Sequence, residues 1–181
     1  MTGRECPEGN YCPSGTPTPI ACPTGSWSNS TGLEREEDCF TCPGGYYCAN
    51  TGLTEPTGPC DAGYYCSGNA SVPNPEDGGV TGDPCTVGHY CPEGSASPVP
   101  CADGTYTTVT HTEQCLNCTP GYYCVTGDTL QPCPMGYYCP LGTGYVWLSC
   151  PAGTYSDQTG KRMKWSRNLN ISHFKLFVQS F

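Results

Sequence analysis

Two Cys-x-x-Cys pairs, Cys39-Phe40-Thr41-Cys42 and Cys115-Leu116-Asn117-Cys118, have the spacing of a tetrahedral zinc site or of a thioredoxin-like redox centre. Zinc would need further ligands at defined spacing, and the chain has only three His (His89, His111, His173) to offer beside its cysteines. Redox chemistry would need a strand-to-helix setting, and no such pattern flanks either pair. Both pairs fall where a long loop hands over to a short motif, so they read as two cysteines leaving one turn in different directions. The acidic run Glu34, Glu36, Glu37, Asp38 has oxygen ligands for calcium. It lacks the alternation around a turn that calcium loops use, and reads as a solvated face. His111 and Glu113 lie near Cys115, but that Cys belongs to a repeat and has a bridging role. No Gly-rich phosphate loop precedes a helix. The expectation is a chain with no catalytic residue, no metal site and no cofactor.

The elements that must position these residues are repeats. The phrase Cys-x-x-Gly-x-Tyr-Cys occurs six times, from Cys6 to Cys12, Cys42 to Cys48, Cys60 to Cys66, Cys85 to Cys91, Cys118 to Cys124 and Cys133 to Cys139. A longer phrase, Cys-x-x-Gly-x-aromatic followed by a loop, alternates with it. It runs from Cys22 to Cys39 and from Cys101 to Cys115, and is truncated after Cys150. With the short phrase as A and the long one as B, the order is A-B-A-A, A-B-A-A, B. We therefore divide the chain into repeat unit one (1–84), repeat unit two (85–149), a truncated third repeat (150–160) and a non-repeat tail (161–181). Glycine three residues before each motif's last Cys predicts a turn with positive φ. Prolines beside the cysteines rule out helix interiors. The predicted fold is a tandem array of small disulfide-rich repeats, with short β ribbons such as Thr105–Thr110, irregular loops and little helix.

Composition agrees. With 17 Cys, 24 Gly and 19 Pro in 181 residues, the chain is a disulfide scaffold, and aliphatic residues are too scarce for one large core. Such usage points to an oxidising, extracellular setting, because a cysteine array made in the cytosol would stay reduced. Residues 1–160 hold two Arg against all 16 acidic residues, a net of −14. That balance disfavours nucleic acid as a partner. The tail differs: it has no Cys, Gly or Pro, and it carries all three Lys. Its junction, Gly160-Lys161-Arg162, is what translation through a splice donor would produce, with a genuine basic tail as the alternative, and we expect it to have no place in the array. No secretory signal opens the sequence and no apolar stretch reaches the ~20 residues of a membrane span. We expect a fragment of a longer secreted or membrane-anchored protein, with any membrane contact made by the missing parts.

An odd cysteine count leaves at least one thiol over, and Cys150, whose loop never reaches another Cys, is the expected one. Spacing alone does not fix connectivity. The expected pairing closes each long loop on itself, Cys22 with Cys39 and Cys101 with Cys115. It cross-links the following short motifs: Cys42 with Cys60, Cys48 with Cys66, Cys118 with Cys133 and Cys124 with Cys139. Of 13 Tyr, 12 sit at fixed motif positions, which suits rings packed over disulfides better than a binding ladder. Phe40, Tyr145 and Trp147 fall outside the pattern and are the better ligand-binding candidates. Asn-x-Ser/Thr acceptors occur at Asn29, Asn69, Asn117 and Asn170, and the loop positions Asn29 and Asn69 are the expected glycosylation sites.

Phrases such as CPAGTYSDQTG (from Cys150) and the handover CFTCPGGYYC (from Cys39) resemble the ephrin-receptor-like cysteine-rich repeat, the "tyrosine-protein kinase ephrin type A/B receptor-like" domain. The pattern is distantly similar to tumour necrosis factor receptor cysteine-rich modules. The resemblance spans about residues 6–160, although extra A phrases interrupt the family's alternation. It implies an extracellular, disulfide-bonded glycoprotein region that binds proteins or acts as a spacer within a larger receptor, adhesion or matrix protein. It implies no kinase activity and no small-molecule substrate. A structural component of a secreted coat, with no specific ligand, is the alternative.

Overall fold

The computed structural model describes residues 4–160 and, beyond them, the strand Lys164–Trp165. The other residues of the tail, with Asn170, lie outside the described part. The fold consists of nine two-stranded antiparallel hairpins, and the one helical element among the described residues is a three-residue 3-10 turn at Glu36–Asp38. Among those residues no helix is long and apolar enough to cross a membrane.

Every hairpin starts in the same way. In Cys6–Cys12 the Asn10 N–H donates to the Pro7 carbonyl at 3.2 Å, closing a turn whose third residue, Gly9, has φ +73°. Positive φ at that position defines a type II turn and explains the glycine. The same turn recurs in nine units, which begin at Cys6, Cys22, Cys42, Cys60, Cys85, Cys101, Cys118, Cys133 and Cys150; all nine motif glycines lie between φ +73° and +91°. The residues after each glycine form the first strand (Asn10–Tyr11, Tyr46–Tyr47, Tyr122–Tyr123), and those before the next unit's first Cys form the second (Ile20–Ala21, Gly58–Pro59, Gln131–Pro132). The strand expected over Thr105–Thr110 stops at Tyr106, because the Thr107 side chain turns inward and bonds Val109 O and Thr112 Oγ1, both at 3.0 Å.

The two phrases turn out to be one element. Ser28, Thr107 and Ser156 stand where the short phrase has its second Cys, and all three are buried. The ninth hairpin closes with Lys164–Trp165, so two residues of the tail pair with Thr154–Tyr155 in the register that the other units use.

Eight disulfides staple the array. Cys22–Cys39 and Cys101–Cys115 close the two long loops, and Cys150 is free. The short motifs do not cross-link. Each closes on itself, as Cys6–Cys12, Cys42–Cys48, Cys60–Cys66, Cys85–Cys91, Cys118–Cys124 and Cys133–Cys139. The expected pairs Cys42–Cys60, Cys48–Cys66, Cys118–Cys133 and Cys124–Cys139 are therefore corrected. The reason is local: the type II turn brings the two Cα atoms of Cys42 and Cys48 to 5.8 Å, inside bridging range. Cross-pairing would close longer loops and gain only roughly 1 kcal/mol more per bridge in chain entropy. A turn that itself holds both thiols in reach outweighs that difference.

Units are joined by backbone. At the first junction Gly9 N–H donates to Ser28 O, Cys22 N–H to Gly9 O, Gly32 N–H to Cys6 O and Cys12 N–H to Leu33 O, all at 2.8–2.9 Å. The same four bonds recur at each of the next four junctions, for instance Gly63 to Cys91, Cys85 to Gly63, Gly94 to Cys60 and Cys66 to Ser95. At roughly 1 kcal/mol each, a junction contributes about 4 kcal/mol. The core is sulfur: among the described residues thirteen cysteines are buried, joined by Ala70 and Pro75. Tyr47 packs against the cluster of Cys60, Cys66 and Ala70, so a ring of one unit covers the next unit's disulfide.

Candidate functional site

The segment between the eighth and ninth motifs is unlike the others. It carries Tyr145-Val146-Trp147-Leu148, the only run of four apolar residues between motifs in the array. Two contacts hold it. Asp103, in the turn of the sixth unit, accepts the Tyr145 N–H with both carboxylate oxygens at 3.2 Å. Gly144 makes this approach possible, since a Cβ there would overlap that carboxylate. Trp147 then lies between two motif tyrosines, 5.0 Å from the Tyr123 ring and 5.8 Å, edge-on, from the Tyr137 ring. The result is a fixed and exposed aromatic surface: Tyr145 is 68% exposed, Val146 77%, Trp147 37% and Leu148 42%.

A second cluster joins the fourth and sixth units. Tyr64 OH donates to Glu76 Oε1 at 3.2 Å, His111 Nε2 lies 3.8 Å from the same oxygen, and the His111 ring meets Tyr64 edge-on at 5.0 Å. Partial burial, then the Glu76 carboxylate beside it, hold the Tyr64 phenol above its ordinary value. His111 has φ +61°, and its carbonyl lies against Gly63, so it takes the place that a glycine holds in most units. Among the described residues it is, with Asn69, one of two non-glycine residues at positive φ, and both types tolerate that region.

The remaining sequence candidates are dispersed. Phe40 is exposed and packs on Trp27 at 5.5 Å, well apart in the chain from Tyr145 and Trp147. In each Cys-x-x-Cys pair the two sulfurs go to different partners, Cys39 to Cys22 and Cys42 to Cys48, Cys115 to Cys101 and Cys118 to Cys124. In the acidic run, Asp38 accepts the N–H groups of Glu34 and Arg35 at 3.1 and 2.9 Å, capping its own turn. The carboxylate beside His111 is that of Glu76, at 3.8 Å, and not that of Glu113. Among the described residues no three of His, Cys, Asp and Glu gather as a metal would require. Asn29 and Asn69 are both exposed. Asn69 also uses its backbone, donating to Cys42 O at 2.9 Å.

The Asp103 clamp and the Tyr64–Glu76–His111 cluster were missed from sequence. Each joins units two apart, and only the tyrosines carried a periodic signal. No protein-family model matches the chain, and no curated protein matches its sequence.

Proposed function

We propose that this array is an extracellular, non-catalytic region of a receptor, adhesion or matrix protein, where it spaces or binds other proteins. The observation that carries the reading is the separation of its eight disulfides into independent loops joined by backbone hydrogen bonds. Such a chain is stable only where cysteines are oxidised. It exposes aromatic and aliphatic side chains such as Tyr145, Val146 and Phe40, which suits contact with proteins. The likeness of its phrases to ephrin-receptor-like repeats supports the same reading. Exposed Asn29 and Asn69 are its glycan sites.

The test is a thiol count on the full chain secreted from animal cells and unfolded without reductant. One free thiol, lost on Cys150→Ser, is the expected result. Many free thiols with stoichiometric zinc would overturn the proposal.

A further inference from the structure

We propose that the Tyr145–Leu148 surface docks a cationic, apolar segment of a partner protein; this rests on the extracellular contact role argued above. Tyr145 and Val146 leave most of their side chains in solvent, and Trp147 keeps an exposed face beyond its stack on Tyr123 and Tyr137. In this hairpin the junction bonds are made by Cys133, Gly136, Cys139, Gly142 and Thr143, and the second strand pairs only Leu148 and Ser149. Yet the segment is held in place by Asp103 at one end and by the Tyr123–Trp147–Tyr137 stack at the other. A surface already ordered loses little entropy on binding, and Trp and Tyr dominate interface hot spots.

Charge selects the occupant. From residue 36 to residue 160 the chain has thirteen acidic residues and not one Lys or Arg. A partner therefore meets a field of net negative sign, −14 over residues 1–160, that attracts cations. A second copy of the array carries the same excess and is repelled, as are nucleic acid and anionic lipid. A segment alternating Lys or Arg with Leu, Phe or similar side chains matches both properties: its apolar groups cover Trp147 and Tyr145, and its cations answer the net negative charge of the array.

The experiment uses the full secreted chain and three immobilised dodecapeptides, Lys alternating with Phe, Lys with Ser, and Glu with Phe. The Lys–Phe peptide is expected to bind at least about tenfold tighter than either other, and to weaken about tenfold in the double variant Tyr145→Ser, Trp147→Ser. Val80→Ser, a control at a 79% exposed site in another unit, keeps the affinity. The proposal is overturned if the double variant binds as the parent does, or if the Lys–Ser peptide binds equally well. It is also overturned if the double variant abolishes a concentration-dependent dimer, which would make a second copy the occupant. It fails again if Lys–Phe binding emerges only when the five Lys and Arg of residues 161–181 are replaced by Gln, since the chain's own end would then be the occupant. A thiol count on the same sample separates the two levels. One thiol without peptide preference sinks the docking surface alone, whereas many thiols sink the extracellular reading itself.

Discussion

A methyl group at Gly25 would sit 2.6 Å from Asn69 O, while one at Gly136 would meet nothing within 4 Å, although both glycines have φ near +80°. The pair separates two costs. Gly136→Ala should carry only the left-handed backbone term, about 1–2 kcal/mol, and Gly25→Ala should carry that plus displacement of the neighbouring loop. Amide exchange at Cys42, whose N–H donates to Gly25 O, should rise more than exchange at Cys150, which donates to Gly136 O. Equal changes would show that the close approach has no energetic weight. Thr107 is a second residue-scale case: it is 2% exposed, with its hydroxyl bonded on both sides. Thr107→Val keeps the shape and removes both bonds, while the Thr112 hydroxyl still donates to Val109 O at 3.2 Å, so the cost is about 0.5–1.5 kcal/mol in denaturant unfolding. Asp77 responds to acid. Its carboxylate accepts the Thr81 hydroxyl at 2.6 Å and the Thr81 N–H at 3.0 Å, and the hydroxyl bond leads in holding its pKa below the ordinary value. A folded pKa below the unfolded one means that this contribution is present above about pH 4 and lost as pH falls through the lowered value. Exchange of the Thr81 amide should accelerate there, and should not in Asp77→Asn.

At the scale of the element, the disulfide-closed turn is the unit of construction. If each short motif closes on itself, Cys60→Ser frees Cys66 alone and leaves Cys42–Cys48 intact. Cross-pairing would free Cys42 instead, and peptide mapping without reduction distinguishes the two. The turn, its glycine and the self-closing long loops were legible in the sequence because a fixed spacing of Cys, Gly and Tyr has few local solutions. The short-motif pairing was not legible, since the same spacing allows several connectivities and only the turn geometry chooses. The identity of the two phrases was hidden for another reason. Ser28 and Thr107 replace cysteine's buried place without its chemistry, so a reading that counts sulfur cannot see them. Their backbone groups, which carry no residue label, make the same junction bonds as Cys48 and Cys66. Of the candidate surface, Tyr145 and Trp147 stood out as aromatics off the repeat. What the sequence could not show was that Asp103, some forty residues away, holds the segment.

At the scale of the whole molecule, every backbone bond between units of the described residues joins neighbours in the chain order. Stability should therefore be distributed along the array, each unit depending chiefly on the one before and after. A feature of the bridges has a mechanical counterpart. The covalent loops 6–12, 22–39, 42–48, 60–66, 85–91, 101–115, 118–124 and 133–139 neither overlap nor interlock. Pulled from its two ends, the array is a series of locked links separated by short extensible spans. It should lengthen in many small steps as junctions give way, recoil when released, and keep its loops closed throughout.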